Sequence, residues 1–147
     1  MKYISLIILL TMFASCDNDD TSQPGTFIST VLEFTFEDIE GNDLLDPSFN
    51  NAYNHSDIEV FVLADGEKKI LANLESPHFI SNERGIYSMF IDLSNDTTYL
   101  KLSEAITDTF RCQKEIGGNY QYLSKVWYNN EMIWSKEDKT SYVKIVK

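Results

Sequence analysis

The chain has 147 residues, and 12 Lys and Arg against 23 Asp and Glu give it a formal charge of −11. Its 43% hydrophobic fraction is enough to bury a core, while the acidic balance argues against a duplex nucleic-acid binder, which needs a basic footprint on the phosphates. Two cysteines exclude a disulfide-dense scaffold, and no run of His and Cys stands at metal-ligand spacing.

Lys2 supplies a short positive start, and Tyr3 to Phe13 is apolar except at Ser5 and Thr11. Those residues are too few to cross a bilayer as a helix, which takes about 20. Small residues follow at Ala14 and Ser15, so residues 1–15 read as a cleaved signal peptide. The tetrad Phe13-Ala14-Ser15-Cys16 resembles the lipobox of bacterial lipoproteins, with Phe where Leu is commonest. That resemblance implies acylation of Cys16 and anchoring by acyl chains, each buried CH₂ contributing about 0.8 kcal/mol.

Residues 16–26 read as a tether, because acidic and Ser/Pro/Gly-rich segments stay solvated and extended. Asp17, Asp19 and Asp20 directly after the cysteine resemble the surface-export signal of Bacteroidetes lipoproteins. This implies an outer-membrane, cell-surface location, with a periplasm-facing anchor as the alternative. Cleavage before Cys16 leaves 132 residues (147 less 15) at a formal charge of −12, since only Lys2 is lost. Cys112 then has no partner in the chain and should be hidden.

Residues 27–147 read as one all-β domain, because period-2 alternation recurs and helical periodicity does not. Leu32, Phe34 and Phe36 share one face of the first strand, and Ile58, Val60 and Val62 one face of the next. Asp65-Gly66 predicts a tight hairpin turn into Lys68–Leu71. Tyr87, Met89, Ile91 and Leu93 line another strand, and Thr98, Leu100 and Leu102 follow the Ser94-Asn95-Asp96 turn. Phe110 and Cys112 point one way from the segment 107–113, which sends the thiol toward the core as a small hydrophobe. Strands over 120–128 and 131–134 flank Asn129-Asn130, and a last strand covers 141–146. About seven or eight short strands with frequent turns predict a single antiparallel β-sandwich, with a small β-barrel as the alternative.

The long connection from Glu37 to Ser56 gathers Asp38, Glu40, Asn42, Asp43 and Asp46, hard oxygen donors of the kind that hold Ca²⁺. An EF-hand would need Gly at the sixth position and Glu at the twelfth. Counted from Asp38 these are Asp43 and Phe49. The favoured reading is therefore a loop whose Asp and Asn side chains bond their own backbone while Leu44 and Leu45 enter the core. No cofactor is expected, and calcium is the minor alternative.

Phe34-Thr35-Phe36-Glu37-Asp38, Gly41-Asn42-Asp43-Leu44-Leu45, Asp108-Thr109-Phe110-Arg111-Cys112 and Lys125-Val126-Trp127-Tyr128-Asn129-Asn130 resemble segments of small Bacteroidetes lipoproteins. The resemblance implies a secreted immunoglobulin-like or transthyretin-like sandwich and brings no catalytic residues. Asp96-Thr97-Thr98 is similar to the O-glycosylation acceptor pattern of that phylum, with Thr97 as acceptor; a plain turn is the competing reading.

Aromatics make up 13% of the chain, and the hairpin around Asn129-Asn130 has no clearly polar face. A two-residue turn would pair Trp127 with Met132, Val126 with Ile133 and Lys125 with Trp134. Leu123, Lys125, Trp127, Met132 and Trp134 would then share one face, and Tyr120, Tyr122, Val126, Tyr128 and Ile133 the other. Since a sandwich buries one face of a hairpin, the other should show aromatic surface. Trp127, Trp134, Tyr122 and Tyr128 are thus the candidate binding residues, for a glycan or an envelope protein. Covering loops, or Lys125 shielding Trp134, would remove that surface.

No His-Glu-x-x-His, Gly-x-Ser-x-Gly, phosphate-cradling Gly loop or paired-Cys motif occurs, and His55 and His78 sit in polar, loop-like surroundings. The expectation is a lipid-anchored binding or accessory module that is not an enzyme. A structural or assembly role is the alternative, and a hydrolase is less favoured.

Overall fold

A computed structural model describes residues 26–71, 79–81 (backbone only), 85–140 and 142–147. The expected signal peptide, Cys16, the acidic cluster after it and His78 lie outside the described residues. Eleven strands occur among them: β1 (Phe27–Ser29), β2 (Val31–Glu37), β3 (Glu59–Ala64), β4 (Glu67–Ile70), β5 (Phe79–Ser81), β6 (Tyr87–Asp92), β7 (Thr97–Ser103), β8 (Ile106–Ile116), β9 (Tyr120–Tyr128), β10 (Glu131–Ser135) and β11 (Tyr142–Val146). The unexpected ones, β1 and β5, have three residues each, too few for alternation to show. No helix among the described residues is long and apolar enough to cross a membrane.

The strands form two sheets that face each other as a β-sandwich, and neither closes into a barrel. The larger runs β4-β3-β7-β8-β9, and the far edge of β9 is shared by β1 and β10. The smaller runs β11-β2-β6-β5. Most pairings are antiparallel, but β1 runs parallel to β9 and β11 parallel to β2, so the sandwich is mixed.

The core lies between the sheets. Phe34, Phe36, Met89, Ile91, Val143 and Ile145 come from the smaller sheet, and Val60, Leu100, Leu102, Phe110, Leu123 and Val126 from the larger. The Phe34 and Phe110 rings meet across the interface at 4.7 Å. Each such side chain contributes about 1.5–3 kcal/mol when withdrawn from water.

Backbone sterics explain the turns. Asp65 and Gly66 have φ of 54° and 82°, and Asn129 and Asn130 of 47° and 72°, the left-handed pairs that two-residue hairpins demand. Asn tolerates this conformation because its short polar side chain bonds locally. Here Asn129 Oδ1 accepts from the Thr109 amide at 2.9 Å.

Two bulges break the alternation in the last hairpin, and they correct the expected pairing. Trp127 does face Met132, but one extra residue at Ile133 puts Trp134 opposite Val126 and Ser135 opposite Lys125. On the other edge of β9, Gln113 pairs with Lys125 and Lys114 with Leu123, leaving Ser124 as the inserted residue. The Ser124 hydroxyl donates to the Gln113 carbonyl at 3.1 Å, so the inserted, buried residue keeps a partner. An inserted residue reverses which face the following side chains take.

Candidate functional site

The acidic loop is a folded turn whose carboxylates serve the backbone. Asp38 accepts from the Glu40 and Asn42 amides at 2.9 and 2.8 Å and from Asn42 Nδ2 at 2.8 Å. Those bonds, that from the Asn42 side chain foremost, hold its carboxyl below the usual value. Asp43 accepts from the Leu45 amide and, across the loop, from the Tyr87 amide at 2.6 Å. Asp46 accepts from the Ser48 amide at 2.8 Å, which lowers its pKa too. Leu44 and Leu45 are buried. Among the described residues no three His, Cys, Asp or Glu side chains gather at metal-binding distance. His55, expected to be solvated, is half-buried, with Nε2 2.6 Å from the Leu45 carbonyl.

The outward face of the larger sheet is where aromatic side chains remain accessible. Val60, Val62, Thr98, Leu100, Asp108, Phe110, Val126 and Tyr128 turn inward and are buried, so the residues between them point out. In register across the sheet these include Phe61 beside Tyr99, and Thr97, Arg111, Trp127 and Met132 on successive strands. Phe61 and Tyr99 stack at 5.2 Å with their planes 15° apart, and the Lys68 ammonium lies 4.6 Å from the Phe61 centroid. Arg111, Cys112, Trp127 and Asn130 line a shallow hollow of about 320 Å³. Trp127 is half-buried and Arg111 exposed, while Met132 keeps 56% of its surface accessible.

The four candidate hairpin residues separate. Trp127 and Tyr122 lie on the outward face, because the bulge at Ser124 turns Tyr120 and Tyr122 to the side taken by Lys125 and Trp127. Leu123 instead goes into the core at 3% exposure. Tyr120 and Tyr122 stack at 5.5 Å. Tyr122 donates to Glu115, which also pairs with Lys136; both contacts depress the Glu115 pKa, that from Lys136 foremost.

Trp134 is displaced by the second bulge onto the inward side and packs against the core margin. Its Nε1 donates to the Thr140 carbonyl at 2.9 Å. It borders a notch of about 350 Å³, with Phe27, Val31 and Tyr122, where β1 and β10 leave the middle of β9 without a neighbour. Lys125 stands opposite Ser135, so the expected Lys125–Trp134 pairing does not form.

Tyr128, expected at the surface, is interior. It is 9% exposed, its ring lies 5.1 Å from Phe110, and its hydroxyl donates to Asp108 Oδ2 at 2.6 Å. Burial, then that hydrogen bond to a carboxylate, pushes its pKa far up. Asp108 also accepts from Asn129 Nδ2 at 2.7 Å and pairs with Lys147. Burial opposes its charged form, but Lys147, Tyr128 and Asn129 together hold its pKa below the usual value.

Cys112 is half-buried, its Sγ 3.2 Å from the Leu93 carbonyl and 3.1 Å from that of Asn95, and burial raises its pKa. That is the opposite of the activated thiolate a nucleophile needs. Thr97 opens β7, and the preceding Asp96 pairs with Lys114 at 2.8 Å.

Phe61, Tyr99 and Arg111 escaped the sequence-based choice of binding residues. The signal was present for the first: β3 is apolar on both faces, with Phe61 and Leu63 alternating against Val60 and Val62, the same property that singled out the last hairpin. Compared with known protein families, characterised proteins and solved structures, the chain matches none.

Proposed function

We propose that this protein is a lipid-anchored binding or accessory module of the cell envelope, with the outward face of its larger sheet as the binding surface. The observation that carries the reading is the set of accessible aromatic side chains on that face, Phe61, Tyr99 and Trp127, with Arg111 on the strand between the last two. Aromatic planes and an arginine are what recognition sites concentrate. The anchor rests on the lipobox-like Phe13-Ala14-Ser15-Cys16 and the acidic residues after it, which also support the outer-membrane, cell-surface location and kinship with small Bacteroidetes lipoproteins of immunoglobulin-like or transthyretin-like type.

Two measurements test the parts separately. A mass spectrum of the native N-terminus should show diacyl- or triacylglyceryl Cys16; an unmodified thiol there rejects the anchor. A glycan array probed with the detergent-extracted chain should show binding that Trp127→Ala abolishes. Binding unchanged by that substitution, or absent from every glycan, rejects the glycan-binding surface.

A further inference from the structure

We propose that the ligand of this outward face is an acidic polysaccharide, a chain of sugar rings carrying carboxylates; this rests on the binding-module reading above. The argument begins with charge. The whole chain is at −11, yet the outward strand positions of the larger sheet carry Lys68, Lys101, Arg111 and Lys125 against two acids, Glu59 and Glu115. Glu59 is occupied by Lys68 and, at 3.2 Å, by Lys101, while Glu115 is occupied by Lys136. Arg111 and Lys125 have no carboxylate partner among the described residues. The face therefore presents two uncompensated cations in a protein that is acidic elsewhere, and an arginine fork suits a carboxylate in two-point contact.

The aromatic positions complete the match. Tyr99 on β7 and Trp127 on β9 are separated by one strand, β8, and Arg111 on that strand is the register partner of Trp127. Strands stand about 4.8 Å apart and rise about 3.4 Å per residue, so Tyr99 and Trp127 lie about 12 Å apart on a diagonal that passes Arg111. A polysaccharide laid along it rests the C–H faces of its rings on the two aromatic planes and brings a carboxylate to the guanidinium between them. A nucleic acid also offers stackable rings and negative charge, but at a density of one charge per about 3.4 Å of strand. Repulsion from the rest of this acidic chain penalises such a ligand more than a sugar chain with at most one charge per ring.

The test uses the full chain extracted from membranes in neutral detergent, with immobilised polygalacturonate, its fully methyl-esterified neutral counterpart, and oligodeoxythymidylate as probes. Retention is expected on polygalacturonate alone, weakening as salt rises. Trp127→Ala and Arg111→Gln should each weaken it at least tenfold. Lys125→Gln, at an exposed position where no folding defect is expected, should weaken it several-fold with an unchanged melting temperature. Equal retention on the esterified polymer overturns the inference and leaves the glycan-binding surface standing. Tighter retention on the oligonucleotide also overturns it, and no retention on either polysaccharide overturns it together with polysaccharide binding as such.

Discussion

The β8–β9 hairpin carries the same three-part device twice, once inside the molecule and once on its surface. Inside, Asp108 accepts from the Tyr128 hydroxyl and pairs with Lys147, whose ammonium lies 5.2 Å from the Tyr128 centroid. Outside, Glu115 accepts from the Tyr122 hydroxyl and pairs with Lys136, whose ammonium lies 5.9 Å from the Tyr122 centroid. The chemistry is alike and the surroundings are not. Asp108 is 5% exposed, with Asn129 as a further donor, whereas the side chains of Glu115 and Lys136 keep 40% and 44% of their surface. Buried, each charge depends on the others; exposed, water and salt replace any partner that is lost.

Removing the carboxylate from each copy should break that comparison most sharply. Asp108→Ala leaves the Lys147 ammonium and the Tyr128 hydroxyl without their acceptor, and a loss of about 3 kcal/mol is expected in urea unfolding. Glu115→Ala should leave the unfolding midpoint within error. Equal losses in the two variants would mean that burial is not what separates the sites.

Acid titration sharpens the same contrast by a smaller amount. The folded protein holds the Asp108 proton more weakly than the unfolded chain does. The contribution to stability is therefore complete above the unfolded pKa of about 3.9 and is lost as the pH falls through the lower folded value. Thermal melts from pH 7 down to pH 2 should show this decline, and Asp108→Asn should flatten it. An acid limb as steep in that variant as in the parent would assign the effect to other carboxylates.

Thr98 extends the comparison to a buried polar group with no partner. It is fully buried opposite Phe110 in the register, and its hydroxyl finds no hydrogen-bond partner among the described residues. Thr98→Val should therefore stabilise the fold by about 1 kcal/mol in chemical denaturation, and a destabilisation would indicate that the hydroxyl is satisfied in solution. A small effect on stability is expected for Trp127→Ala on the half-buried outward face. That variant should melt close to the parent, so any loss of binding would report the surface and not the fold.

Much of the architecture was legible because it depends on local rules. Period-2 alternation marked β2, β3, β6 and β7, and Asp65-Gly66 and Asn129-Asn130 marked turns that need left-handed backbone. The density of Asp and Asn around Leu44-Leu45 indicated a self-bonded loop. The candidate site was legible only in part. Trp127 and Trp134, expected on one face, and Tyr122 and Tyr128, expected on the other, are each split, because the bulges at Ile133 and Ser124 reverse the facing of the side chains beyond them. A bulge is one extra residue, and neither Ser nor Ile carries a compositional mark of it.

Short strands, tight turns and more apolar strand faces than a single core can bury all follow from the order of residues alone. Those are properties of neighbours along the chain, set by side-chain alternation and backbone sterics. Which apolar faces meet is set by long-range pairing of the strands. The smaller sheet covers Val60, Phe110 and Tyr128, and the larger sheet has no second layer among the described residues over Phe61, Tyr99 and Trp127. Sheet pairing and bulges make that choice, because one inserted residue moves a side chain from core to surface while barely changing the pattern that encodes it.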